Sequence, residues 1–133
     1  MKNTEDYLHL YLGCNVLINN AKLENVISTI TWVNNLGECA GDMYDWKAKD
    51  CQLMLRHLTD MTATEFAKTA FYDVSDPLNQ SLQSQYKNFI INRRNKVDIF
   101  YNANDIPFLL KSGFDIFGLI EDGSAIFIKP PHQ

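Results

Sequence analysis

The chain has 133 residues, of which 46% are hydrophobic, 21% charged and 12% aromatic. That is too apolar for a disordered segment, and long enough for one domain to bury a core without disulfides or metal. The net charge of −4 opposes non-specific attachment to polyanions, and no apolar run approaches the roughly 20 residues a bilayer-spanning helix needs.

The charge is unevenly placed. Residues 1–66 hold 5 basic and 9 acidic side chains, residues 67–133 hold 7 of each, and all eight Phe fall from Phe66 onward. An aromatic core drawn mainly from the second half is therefore expected. The opening Met-Lys-Asn-Thr-Glu-Asp is polar and acidic, unlike a signal peptide. Cys14, Cys39 and Cys51 cannot all pair within one chain, and they read as reduced thiols in a cytoplasm.

In chain order, Thr4 to Leu12 fits a short helix or an extended arm, stopped at Gly13. Cys14 to Ile18 is a predicted strand, Asn19-Asn20 a turn, and Asn25 to Val33, rich in β-branched residues, a second strand. Asn34 to Asp50, with its Gly and Asp residues, reads as a long exposed loop with Trp46 tucked inward. Cys51 to Arg56 alternates as a third strand, giving a small curled sheet.

Thr62-Ala-Thr-Glu65 then forms a capping box, in which hydroxyl and carboxylate satisfy orphan N–H groups reciprocally. Met61 and Phe66 are placed to staple it, and shared-face Phe66, Ala67, Ala70 and Phe71 predict a helix to about Tyr72, with Asp76-Pro77 as a breaker. Residues 78–92 fit either a helical stripe or, from Tyr86, a strand. Val97 to Tyr101 reads as a strand; if Tyr86 to Asn92 is extended too, Arg93 to Lys96 is the hairpin loop between them.

The last predicted elements are a short helix near 105–112, capped by Asn104 or Asp105 with Pro107 in its first turn, and a left-handed stop at Gly113. A β-hairpin follows, turning at Asp122-Gly123 through a type I′ turn.

Two stretches carry a resemblance. Leu55-Arg-His-Leu-Thr-Asp-Met-Thr62 is similar to a Leu-Arg-Pro-Leu-Ser-Asp-Met/Leu-Thr segment, and Phe114-Asp-Ile-Phe-Gly-Leu-Ile-Glu-Asp-Gly-Ser-Ala-Ile126 to a Phe-Asp-Leu-Phe-Gly-Leu-Ile-x-x-Gly-Leu-Ala-Ile segment. Both belong to a group of small uncharacterised proteins from phages, prophages and mobile elements of Bacteroidetes bacteria. Tyr7-Leu-His-Leu-Tyr-Leu12 resembles their Tyr-Leu-x-x-Tyr-Leu opening, and the matches keep the same order over about a quarter of the chain. The resemblance brings no catalytic or binding residues with it. His57 stands where the group has Pro, and Ser124 where it has Leu.

Possible sites have plain structural explanations beside them. Cys39, Asp42, Asp45, Cys51 and His57 are metal-ligand types, but their spacings match no zinc ribbon, finger or EF-hand. A solvated acidic loop with buried thiols explains them as well. No local base pairs with a cysteine to make it a nucleophile, since His9 and His57 lie beside none of them. Asp42/Asp45, Asp73/Asp76 and Glu121/Asp122 sit at predicted loops, where Asp serves turns. Phosphate-cradling and nucleophile-elbow motifs are missing.

The clearest binding segment is Tyr86 to Tyr101. Lys87, Arg93, Arg94 and Lys96 stand against Asp98 alone, and the aromatics Tyr86, Phe89, Phe100 and Tyr101 interleave with them, a composition that grips phosphates and stacks bases. The competing reading is a polar loop between core strands.

The sequence thus predicts a single α+β domain over 1–133, with small antiparallel sheet elements, two short helices and a C-terminal hairpin. It points to a cytoplasmic, non-enzymatic accessory protein of a phage or mobile element, acting on an unidentified protein partner. No cofactor, metal or membrane is called for. The alternative is nucleic-acid binding through residues 86–101, and an unrecognised enzyme comes third.

Overall fold

The computed structural model describes residues 3–76, 78 and 80–128. The fold is α+β and divides into two compact units, one of residues 1–56 and 109–133, the other of residues 57–108.

The first unit holds the sheets. After 3-10 turns at Thr4–Asp6 and Leu8–Leu10, β1 (Asn15–Ile18) lies between β2 (Val26–Thr29) and β6 (Cys51–Leu55), antiparallel to both. Alternation places Val16 and Ile18 of β1, and Cys51, Leu53 and Leu55 of β6, in one core with Leu8, Tyr11, Ile30 and Leu119. The predicted second strand is broken. Ile30 N and O bond to Cys14 and Gly13, whereas Thr31 N donates to Ala40 O, so the chain leaves one sheet for another. β3 (Trp32–Val33) pairs there with β4 (Glu38–Ala40), and β4 with β5 (Asp45–Lys47).

The expected exposed loop over Asn34 to Asp50 is therefore mostly this small sheet, followed by a 3-10 turn at Ala48–Asp50. Its Asn and Gly residues are hairpin chemistry. The Asn34 side chain accepts from Leu36 N and Glu38 N, and Gly37 adopts φ 76°. Trp46 is buried, as expected.

The predicted terminal β-hairpin is not formed. Asp115 takes the N–H groups of Phe117, Leu119 and Ile120 at 3.2, 2.9 and 2.8 Å, and Gly118 adopts φ 74°, so Phe117 to Ile120 coils. Asp122 does serve a turn, accepting from Ser124 N; its φ is not positive, so the turn is not type I′. β7 (Ile126–Phe127) instead pairs with β6 in parallel, making the sheet β2-β1-β6-β7.

The second unit is helical. The capping box forms as predicted: Thr62 Oγ1 accepts from Glu65 N at 3.1 Å, and Glu65 Oε1 from Thr62 N at 2.9 Å. Helix α1, however, spans only Ala63–Ala67. Beyond it, Thr69 Oγ1 bonds to Phe66 O and Phe71 N, and Asp105 Oδ2 accepts from Ala70 N at 2.8 Å. These side chains take backbone groups that a longer helix would use. Pro77, expected as the breaker, lies outside the described residues.

Residues 82–94 resolve as helix α2 (Leu82–Arg94), capped by Ser81 on Ser84 N. Phe66, Phe71, Tyr72, Tyr86, Phe89 and Tyr101 form a chain of tilted and edge-on rings with centroids 4.7–6.2 Å apart. Helix α3 (Ile106–Lys111) forms near the predicted position. Its stop is a Schellman motif: Gly113 N bonds to Leu110 O, Phe114 N to Leu109 O, and Gly113 takes φ 79°. Asp105, one of the two residues predicted to cap it, accepts with its carboxylate from Ala70 N.

Candidate functional site

The basic aromatic segment lies on α2 and the coil after it, within the second unit. The hairpin read there does not form: Tyr86 to Asn92 is helical, which leaves Val97 to Tyr101 without a partner strand. The helix ends in another Schellman motif. Lys96 N bonds to Arg93 O, Val97 N to Asn92 O, and Lys96 occupies the left-handed region at φ 56°. No glycine marks this stop.

Helical geometry sorts the predicted residues onto two faces. Lys87 and Arg94 are seven positions apart, nearly eclipsed on one exposed face, with Ile91 between them 41% exposed. Lys96 is exposed beyond the helix end. Tyr86, Phe89 and Arg93 share the other face. The Tyr86 hydroxyl donates to Met61 O, and its ring sits 5.6 Å from that of Phe66. Burial, then the nearby Glu65 carboxylate, raises the Tyr86 pKa.

Arg93 is half-buried over Phe89, 5.7 Å from the ring centroid, and donates to Asp98 O at 3.4 Å. Tyr101 meets Phe71 edge-on at 6.2 Å. Three of the six predicted residues, Lys87, Arg94 and Lys96, therefore face solvent, and Arg93, Tyr86 and Tyr101 serve the aromatic core. Of the four aromatics that interleave with these charges, Phe100 alone is exposed, at 92%, with Val97 at 49%. Its signal was the alternation from Ile99 to Tyr101, which persists without a strand: both neighbours are half-buried.

The other candidates are accounted for locally. All three cysteines are free and buried. Cys14 Sγ donates to Leu110 O, and Cys51 Sγ to Ala48 O, both at 3.4 Å. Burial raises all three thiol pKa values, that of Cys39 to about 12 with help from neighbouring Cys51. These environments suppress the nucleophilic thiolate. Asp73 accepts from Ser75, and Asp76 from Leu78 N and Gln80 N, as turn carboxylates do. Among the described residues no three His, Cys, Asp or Glu side chains converge to hold a metal, and no helix is long and apolar enough to cross a membrane.

Comparison with protein-family models, curated proteins and solved structures returns no match.

Proposed function

We propose that the chain is a non-enzymatic, cytoplasmic accessory protein of a phage or mobile element, working through contact with another protein. The observation that carries this reading is Phe100. A phenylalanine 92% exposed, following Val97 and Ile91 at 49% and 41%, is a ready anchor for a partner's pocket, since buried aromatic anchors dominate interface energetics. The run from Leu82 to Val97 holds four cations and no carboxylate, so the matching partner surface is apolar with an acidic rim. The resemblance of Leu55–Thr62 and Phe114–Ile126 to phage- and prophage-associated proteins supplies the setting.

The test is capture from cells carrying the native element, with the full chain as bait, with and without nuclease. Capture that survives nuclease and disappears with Phe100→Ser, at an unchanged melting temperature, supports the proposal. Capture equal for both baits removes it.

The same run of four cations favours a second reading, nucleic-acid binding through Lys87, Arg94 and Lys96. Each phosphate neutralised adds close to one unit of log–log salt slope. Arg94→Gln should then flatten the slope by about one, whereas Arg93→Gln should act chiefly on stability. Micromolar binding at physiological salt that Arg94→Gln weakens would replace the first reading with this one.

A further inference from the structure

The outer face of the β3-β4-β5 sheet carries a trough unrelated to the α2 surface. Cross-strand register places Trp32 opposite Ala40, and Ala40 opposite Asp45, so these three project from one face in a single row. Ala40 is small. The indole and the carboxylate are therefore separated by two strand spacings, roughly 9–10 Å, with little side chain between them. The next row is Glu38 opposite Lys47, joined by an ion pair at 3.6 Å. A cavity of about 550 Å³ covers this face, lined also by Asn20 and Asp50.

The polar groups of the trough are unequally satisfied. Glu38 accepts from Asn34 Nδ2 at 2.9 Å and pairs with Lys47; the Asn34 bond, then the Lys47 charge, lowers its pKa. The one cation of the trough is thus already engaged. The Asp45 and Asp50 carboxylates have no hydrogen bond or ion pair among the described residues. Trp32 is 50% exposed, an unusual position for the largest apolar side chain. Its indole lines the same space, and an aromatic ring attracts a cation to its face.

We propose that this trough binds a cationic group on a short aliphatic stem, a guanidinium or an alkylammonium. The stem lies over Ala40 against the Trp32 ring, and the charge reaches Asp45 and Asp50. An aromatic face opposite unpaired carboxylates selects positive charge and rejects a neutral isostere, because only the cation gains from both walls. The site takes its ligand from solution or from an exposed Arg or Lys of another chain, and it does not depend on the α2 reading.

The experiment titrates the full chain with N-acetyl-argininamide and with its uncharged urea counterpart, N-acetyl-citrullinamide. Binding is followed by NMR shifts of the indole N–H signals and by tryptophan emission, with Trp32→Phe assigning the responsive ring. The expected result is saturable binding of the arginine compound and at least tenfold weaker binding of the citrulline compound. Asp45→Asn with Asp50→Asn should weaken the arginine compound about tenfold at an unchanged melting temperature, and added salt should weaken it in the wild type. A Gly-Arg-Gly-Gly peptide binding more tightly than the arginine compound supports the site with a protein-borne side chain as its source. Equal affinity supports it with a free small cation. Failure to saturate, equal affinity for the citrulline compound, or no response to the paired Asn substitutions would overturn the proposal.

Discussion

The buried hydroxyl of Tyr11 donates to the main-chain carbonyl of Phe114 at 2.8 Å, and the same oxygen lies 3.4 Å from Ile116 N. One side chain from the first turns of the chain thereby fixes the segment that enters the Asp115 coil. Tyr11→Phe keeps the ring and removes the donor. It should cost about 1–2 kcal/mol, read as a lower urea midpoint at unchanged m-value.

Thr62→Ala should cost about 1 kcal/mol through the lost cap. Thr64→Ala, at an exposed helix position, should be nearly neutral. Equal losses for the two would show that the box contributes nothing.

The capping box was legible because it is complete within four residues. The end of α1 was not, since the carboxylate that takes Ala70 N belongs to Asp105, far along the chain and silent in any local window. The coil after Phe114 had a readable cue, an Asp directly before Ile-Phe-Gly, but Asp122-Gly123 offered a familiar turn and hid it. The basic segment was found by composition alone. That Arg94 faces solvent while Arg93 packs on Phe89 follows from a rotation of about 100° per residue, and it became visible only once strand was ruled out for Tyr86 to Asn92.

Lys96 stands left-handed where glycine is at ease. Lys96→Gly should stabilise the second unit by about 0.5–1 kcal/mol, the relief of native backbone strain being partly offset by a freer unfolded chain. Thermal unfolding of the two proteins at one pH measures it.

Gly41 tolerates no side chain. A Cβ there would come within 2.5 Å of Thr29 O and also meet Ser28 Oγ. Gly41→Ala should cost about 1–3 kcal/mol as the hairpin is pushed off β2; a neutral result in a urea melt would mean that this close approach is relaxed in solution.

The buried thiols set the response to alkali. Folded Cys39 holds its proton to about 12, against an ordinary value of 9.0, and Cys14 and Cys51 move in the same direction. Above pH 9 the unfolded chain loses protons that the folded chain keeps, so stability is fully present below that pH and falls as pH rises toward 12. Cys39 contributes a slope of up to about 1.4 kcal/mol per pH unit in that window. Cys39→Ala should flatten the decline by one proton's worth, measured as urea stability from pH 8 to 11.

The parallel pairing of β6 with β7 has a consequence for synthesis on the ribosome. Residues 57–108 are contiguous and can close on their own contacts as soon as they emerge. The first unit cannot, because Met54 and Leu55 wait for Ile126 and Phe127, and Tyr11 waits for Phe114. Closing so long a loop is slow. The nascent chain therefore carries an unfinished sheet, with one side of β6 bare, until Ile126 and Phe127 have been added.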